Sequence, residues 1–389
     1  MMKFTTFGES HGKMIGVVVE GLPSGLEISH KEIDADLCRR QSGYGRGARM
    51  AIESGESLCE IVSGLRWGKT TGAPVTVLIP NRDWQNNKKL LSPLASDADK
   101  KPHLTLPRPG HADLAGAIKY NLADITDVLE RASARETAAR TAAGAIFKKY
   151  ISLAGVKIFS WVEAIGNIFA RPSTYEGKSP SSVFIAAEKS VLRTPDIQSE
   201  KKMCALIDDA RKSGDTLGGI FRVVATGVPV GLGSYVRWED RLDGRLAAAL
   251  MSIQAIKGVE IGAGFDGCVS LTGSRFEDEI FYDKKSRRFF RRTNRAGGIE
   301  GGISNGEDIV ARCAMKPIPT VQGKPLATVD ISNMKPARAP AIRSDITAVP
   351  AASVVAEAMT AFVLAYAIKE KFGGDSVKEF LDNFRTHNR

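Results

Sequence analysis

Cysteine is scarce and never clustered: Cys38, Cys59, Cys204, Cys268 and Cys313 make an odd total without a C-x-x-C pair. That excludes a disulfide framework and a thiolate metal site, and it points to reduced, mostly buried thiols. The five histidines are equally scattered, without H-x-x-x-H or H-E-x-x-H spacing, so no metal is expected. Met1–Thr6 carry no signal-peptide or Arg-rich transit pattern, and the cytoplasm is the expected compartment. The best candidate for a membrane span, "AASVVAEAMTAFVLAYAI" from Ala351, carries Glu357 and much alanine. It reads as a buried helix, so no membrane partner is expected.

Nucleotide-binding loops are missing as well. "GLRWGKTTG" at Gly64 resembles a phosphate-cradling loop, but only three residues separate Gly64 from Gly68 where four are needed. One residue fewer changes which backbone N–H groups point inward, and the following "TGAPVTVLIP" reads as a strand. The glycines of "GAGFDG" and "GGIEGG" open no βαβ unit with an acidic ribose-binding residue. A Ser-His-Asp hydrolase would want a G-x-S-x-G elbow, and none is read.

What is present is a chain of 389 residues, 43% apolar and 25% charged, with a formal net charge of +10. The composition is that of a globular protein with ample core. The positive charge suits either nucleic acid or a highly anionic small ligand. Its distribution favours the second, because several arginines sit in short Gly-rich turns such as "RRQSGYGRGAR" that can converge on one pocket. The one dense basic run, "KKSRRFFRR" from Lys284, reads as a solvated hairpin between strand-like segments.

An internal echo organises the chain. "VVVEGLPSGL" begins at Val17 and "VVATGVPVGL" at Val223, both β-branched runs leading into a Gly-x-Pro-x-Gly-Leu turn. Helix-like "EIDADLCRR" and "EDRLDGRLAAALMSI" follow, and "GKTTGAPV" at Gly68 is echoed by "GISNGEDI" at Gly302. The expectation is one α/β (α+β) layered domain over residues 1–389 with a pseudo-twofold duplicated core. Its repeat units would span about 15–150 and 219–372, with an insertion over about 156–213. "ITDVLERASARETAARTAAGAIFKK" is expected to form one close-packing helix. A strand is expected after the Arg171–Ser182 linker, then a helix capped by Thr194.

Five Gly- or Pro-flanked polar clusters carry the chemistry. "GESHG" offers Ser10 and His11, and "RRQSGYGRGAR" offers Arg39, Arg40, Arg46 and Arg49. "PRPGHADLAG" offers Arg108 and His111, "ERASARETAART" offers Arg131, Ser133 and Arg135, and "AIRSDITAVP" offers Arg343 and Asp345. Guanidiniums bind carboxylate and phosphate bidentately, and a nearby anion favours an imidazolium able to act as a general acid. Taken singly, each cluster also suits an ordinary loop, helix face or cap.

Three long segments, "GESHGKMIGVVVEGLP", "ERASARETAARTAAGAI" and "RSDITAVPAASVVAEAM", closely resemble the signature segments of the chorismate synthase family. So do "RRQSGYGRGARM", "RPGHADLAG", "ALMSIQAIKGVEIG", "NRAGGIEGGISNGEDI" and "MKPIPT", collinear from about residue 4 to 372. The resemblance implies a β-α-β sandwich and a homotetramer. It also implies conversion of 5-enolpyruvylshikimate 3-phosphate to chorismate and phosphate by an anti-1,4-elimination in the shikimate pathway. Reduced FMN would be required, with NADPH as the reductant in members that reduce their own flavin, and no nucleic-acid partner is implied.

The resemblance also implies roles. His11, beside Ser10, is the acid that helps phosphate leave, and His111 stabilises the reduced anionic flavin. Asp345, helped by Ser133, relays a proton. Arg40, Arg46, Arg49, Arg135 and Arg343 would clamp the substrate. Flavin would contact Arg131, Ala132 and Ser133, Gln254 and Ala255, Gly301, the run Lys316, Pro317, Ile318, Pro319 and Thr320, and Arg343. One position departs from the family pattern, where Ser344 stands in place of a common histidine. Glu9 is expected to turn away from the substrate, while Gly8 and Gly12 let the backbone approach it.

Overall fold

A computed structural model describes residues 1–47, 58–98, 101–340 and 345–387. Arg49, Arg343 and Ser344 therefore lie outside the described residues.

Two antiparallel sheets enclose a layer of helices. The first has the strand order β1-β2-β4-β3, from β1 (Lys3–Gly8), β2 (Met14–Glu20), β3 (Glu60–Ser63) and β4 (Val75–Pro80). Alternation builds it: Val17 and Val19 on β2 and Val75, Val77 and Ile79 on β4 point inward and are buried. The second has the order β8-β9-β7-β5-β6, from β5 (Lys157–Ile165), β6 (Ile168–Phe169), β7 (Gly219–Thr226), β8 (Ile256–Ile261) and β9 (Ile309–Met315). Between the sheets lie the helices His30–Gln41 (α1), Thr137–Ser152, Leu242–Met251 and Val349–Phe372.

The four strands of the first sheet match four of the five in the second. β2 is central beside β1 and β4, as β7 is beside β5 and β9. The turns after β2 and β7 match atom for atom. Thr70 Oγ1 donates to Pro23 O at 2.6 Å and accepts from Leu26 N at 2.9 Å. Ser304 Oγ donates to Pro229 O at 2.6 Å and accepts from Leu232 N at 2.8 Å. Gly21 and Gly25 have φ of +81° and +85°, and Gly227 and Gly231 have +70° and +89°, backbone that glycine adopts without strain. Strand β5 holds in its sheet the place of β1, and the extra helices Pro180–Glu188 and Ile197–Ser213 fall between β5 and β7.

At the centre, Thr137–Ser152 crosses Val349–Phe372. A Cβ on Gly144 would lie 2.1 Å from Ala358 Cβ, so the small residues set how closely the helices approach. Among the described residues, Val349–Phe372 is the one helix long and apolar enough to cross a membrane, yet it is buried inside the fold. Being buried on all sides, it has no need of a polar face. Its carboxylate, Glu357, accepts from both terminal nitrogens of Arg39 (2.8 and 2.7 Å), from Lys148 (2.5 Å) and from Ser160 (2.6 Å). Burial by itself would raise the Glu357 carboxyl, but Lys148 and Arg39 hold it far below the carboxylate range.

Several local expectations are corrected. The segment expected as one helix from Ile125 is broken: Thr126–Ala132 ends at Ser133, whose extended backbone (φ −60°, ψ 140°) leads through a short turn to Thr137–Ser152. The expected strand after the linker is the helix Pro180–Glu188, started by Ser179 with Pro180 in the first turn. The next helix is capped by Asp196 rather than Thr194, because Asp196 reaches the N–H groups of Gln198 and Ser199. Of the five thiols only Cys59 and Cys313 are buried, while Cys38 and Cys268 are exposed. The basic run does form the expected hairpin, Ile280–Asp283 with Arg288–Arg291.

Candidate active site

The hairpin between β1 and β2 carries Ser10 and His11. Gly8 is required there by the chain itself: at φ +91° a Cβ would lie 2.3 Å from Met14 O. The positive φ and the missing side chain of Gly8 thus serve the approach of one strand to the other. A Cβ on Gly12 would meet the Glu9 carboxylate, and Glu9 is exposed. Gly8 to Gly12 does have G-x-S-x-G spacing, as does Gly302 to Gly306, which corrects the sequence reading. A nucleophile elbow turns from strand into helix, however; the first of these joins antiparallel strands, and Ser304 of the second lies within the strand Ile303–Ser304. "GAGFDG" likewise stands between β8 and a seven-residue helix, Gly264–Ser270, but in an antiparallel sheet with no βαβ unit.

The carboxylate that grips this hairpin is Glu130, from helix Thr126–Ala132. Its Oε2 accepts the His11 backbone N–H at 2.6 Å, and its Oε1 lies 2.7 Å from His11 Nδ1. The Ser10 N–H donates to Glu130 O at 3.2 Å, and Asn81 Nδ2 donates to Ser10 O at 2.5 Å. Ser133, at the helix break, donates from Oγ to Ser10 Oγ at 3.1 Å. A continuous helix would carry Ser133 away from this position.

The same break brings in the arginines. Arg135 is buried in the turn after Ser133, and its backbone N–H donates to Ser133 Oγ at 3.3 Å. Arg40, at the end of α1, is also buried and donates from Nε to Thr137 Oγ1 and from Nη2 to Ala134 O, each at 2.9 Å. Its Nη1 has no hydrogen-bond partner among the described residues. Burial, reinforced by the Arg46 charge, pulls the Arg40 guanidinium down to about 9 against the pull of Asp345 and Glu136. Asp345 accepts from Arg46 Nη1 and from the Gly47 N–H, both at 2.6 Å.

His111 sits in a second loop, beside a second carboxylate. Asp113 opens helix Asp113–Tyr120, with Oδ1 2.5 Å from His111 Nδ1, and accepts from Arg108 Nε at 2.8 Å. Burial by itself would raise the Asp113 carboxyl, but hydrogen bonds from His111 and Arg108 hold it well below the usual carboxylate range. Lys316 Nζ donates to Gly110 O at 2.6 Å, binding this loop to the segment after β9. Burial and the neighbouring Lys257 lower the Lys316 amine.

A thread of contacts joins the two histidine loops. Thr6 and Gln254 both donate to Glu136, at 2.7 and 3.1 Å, and Lys316 N donates to Ala255 O at 2.9 Å. Thr216 Oγ1 donates to Ile318 O at 2.7 Å, within the run that ends at the buried Thr320. Arg131, next to Ala132, binds the backbone of β1 at Thr6 O (2.9 Å) and Gly8 O (3.3 Å). Gly301 stands apart, at the turn between Ile299–Glu300 and Ile303–Ser304, where the adjoining Gly302 faces Arg241. Sequence reasoning missed Glu130, Asp113, Asn81 and Glu136. The His-x-Asp spacing was an available signal for Asp113. Nothing in the sequence couples Glu130 to His11 across 119 positions.

Comparison with known proteins is decisive at this point. Residues 2–368 match the family model described as chorismate synthase. The chain belongs to the chorismate synthase family. It is 50% identical to the chorismate synthase of Geobacter sulfurreducens, over 99% of this chain and 98% of the relative. Identity to that of Desulforudis audaxviator is 52%, over 100% of this chain and 97% of the relative. A crystal structure of chorismate synthase is similar throughout, with a TM-score of 0.79 and 42% identity, covering 99% of this chain and 97% of the other. The chain is thus a chorismate synthase-type lyase of the shikimate pathway. Its family acts on a small-molecule substrate and requires a reduced flavin.

Proposed function

We propose that the chain converts 5-enolpyruvylshikimate 3-phosphate to chorismate and phosphate with reduced FMN, as a cytoplasmic homotetramer built from one duplicated domain. The observation that carries this reading is the convergence of His11, Ser10, Ser133, Arg40 and Arg135 at one helix break. Substrate and flavin together bring roughly six negative charges, and a pocket of guanidiniums answers them.

The residues present fit a flavin. Gln254 Oε1 is buried without a hydrogen-bond partner among the described residues, which suits a ring N–H donor. Ala255 holds a left-handed φ of +68°, and Lys316 supplies a cation beside the His111 loop. Gln254, Ala255, Lys316–Thr320 and Arg131–Ser133 are the groups we assign to it, and Gly301, which stands apart, and Arg343, outside the described residues, are added on the resemblance alone. A reduced flavin held there would lend the substrate an electron that returns at the end of the turnover, chemistry needed because the ring proton is too weakly acidic for a side-chain base. Arg40, Arg46 and Arg135, with Arg49 and Arg343, hold the substrate's carboxylates and phosphate. His11 protonates the departing phosphate, with Ser10 and Ser133 ordering the space beside it. Asp345, oriented by Arg46 and the Gly47 N–H, moves the ring proton away. His111, paired with Asp113, would stabilise the reduced, anionic flavin.

The test is anaerobic. The protein is mixed with substrate and chemically reduced FMN, and phosphate and chorismate are quantified, with oxidised FMN and His11→Ala as controls. Equal release of both products, only with reduced flavin and lost in the variant, is expected. Phosphate without chorismate would overturn the elimination. NADPH is the proposed reductant, and incubation with NADPH and oxidised FMN alone decides whether reduction occurs on this chain.

A further inference from the structure

We infer that Glu130 is a positioning residue for the leaving-group step, assigning the two ring nitrogens of His11 to separate tasks. The inference rests on His11 being the acid that protonates phosphate. Glu130 is almost wholly buried, and its two carboxylate oxygens divide between the His11 backbone N–H (2.6 Å) and His11 Nδ1 (2.7 Å). A carboxylate held this way accepts and does not donate, so the proton on this contact belongs to Nδ1. The backbone bond, with the Ser10 N–H on Glu130 O, stops the loop from carrying the ring off the carboxylate. Nδ1 is thereby committed, and Nε2 is the only ring atom that can exchange a proton with the substrate.

The step then balances. In the overall 1,4-elimination the ring C–H bond breaks, its proton leaving by way of Asp345 and its electron pair entering the diene, while the carbon–oxygen bond to phosphate breaks with its pair going to the phosphate oxygen, which takes the Nε2 proton of the imidazolium. His11 is left neutral with its proton on Nδ1, still bonded to Glu130. Nε2 takes a proton from solvent once phosphate has left, and no tautomer exchange or ring flip is needed before the next turnover. The carboxylate holds the imidazole in one tautomer and one orientation, a task separate from proton transfer itself.

The contact is tested on the intact protein by 15N NMR of histidine-labelled chain, with His11 assigned from the His11→Ala spectrum. The expected neutral form is protonated at Nδ1 and bare at Nε2. A bare Nδ1 would overturn the inference even if His11 proves to be the acid. In Glu130→Gln the amide N–H donates to Nδ1 and forces the proton onto Nε2. With substrate and reduced FMN, kcat is expected to fall about 100-fold while KM changes less than about twofold. Glu130→Asp, which keeps the charge, should recover part of kcat, a rescue that a packing role would not give. Unchanged kcat in Glu130→Gln would sink the inference. Full activity in His11→Ala would sink the acid reading instead.

Discussion

Ser133 Oγ donates to Ser10 Oγ across 3.1 Å, joining the first hairpin to a helix break 123 positions later. If the two hydroxyls act as one unit, their substitutions will not add. Ser10→Ala and Ser133→Ala should each lower kcat/KM about tenfold, and the double variant should fall little further. A double variant that loses the product of the two effects would show that they act separately. Steady-state anaerobic kinetics on the three variants decides it.

Arg40 tests the anion clamp. Arg40→Met should raise the substrate KM by about 10–100-fold, the range of a lost charged hydrogen bond, with a smaller effect on kcat. The pH dependence has a definite sign. With its guanidinium pulled down to about 9, Arg40 is cationic below that value and loses its charge above it. The free-enzyme quantity kcat/KM should therefore decline as pH rises through about 9. That alkaline limb should be absent from the residual activity of Arg40→Met.

Asp113 tests the second histidine loop through stability. Its carboxyl is held below the ordinary value in the folded chain, so the stabilisation is present above that ordinary value. It is lost as pH falls through the carboxylate range toward the folded value. Asp113→Asn should lower Tm at neutral pH and make the decline of Tm between about pH 5 and 3 shallower. Calorimetry across that range checks both. An unchanged acid slope would mean that Asp113 is not a source of it.

The crossing of the two central helices makes a reciprocal prediction. Gly144→Ala places a Cβ 2.1 Å from Ala358 Cβ, and overpacking of this kind costs about 1–3 kcal/mol. Ala358→Gly in the same chain removes the nearest methyl but leaves Ala358 Cα 2.5 Å from the new Cβ, so it should recover only part of the loss. Urea denaturation of the single and double variants measures the coupling. Additive losses would mean that the helices separate without touching at this point.

Much of the fold is legible in the chain because its determinants are local. The β-branched runs at Val17 and Val223, each closed by a Gly-x-Pro-x-Gly-Leu turn, specify strands and turns through side-chain shape and positive φ. The burial of "AASVVAEAMTAFVLAYAI" is legible too, since an apolar helix containing Glu357 demands a paired carboxylate inside a protein. The resemblance, carried by long collinear segments, pointed to the family before any coordinates.

Errors arose where a long-range partner outweighs local preference. The run from Ile125 to Lys149 has the composition of one helix, yet it breaks at Ser133, where the hairpin offers Ser10 Oγ 3.1 Å away. Asp196 displaces Thr194 as a cap while also accepting from Arg171 Nε at 2.9 Å. By itself, then, the sequence determined the main β-branched strands, their turns and the apolar central helix, along with the family. Tertiary structure alone decided that Glu130 holds His11 and where Arg40 lies relative to Ser133. Hydrogen bonds and ion pairs fall off within a few ångströms, and only the packed sandwich brings residues 119 positions apart within that reach.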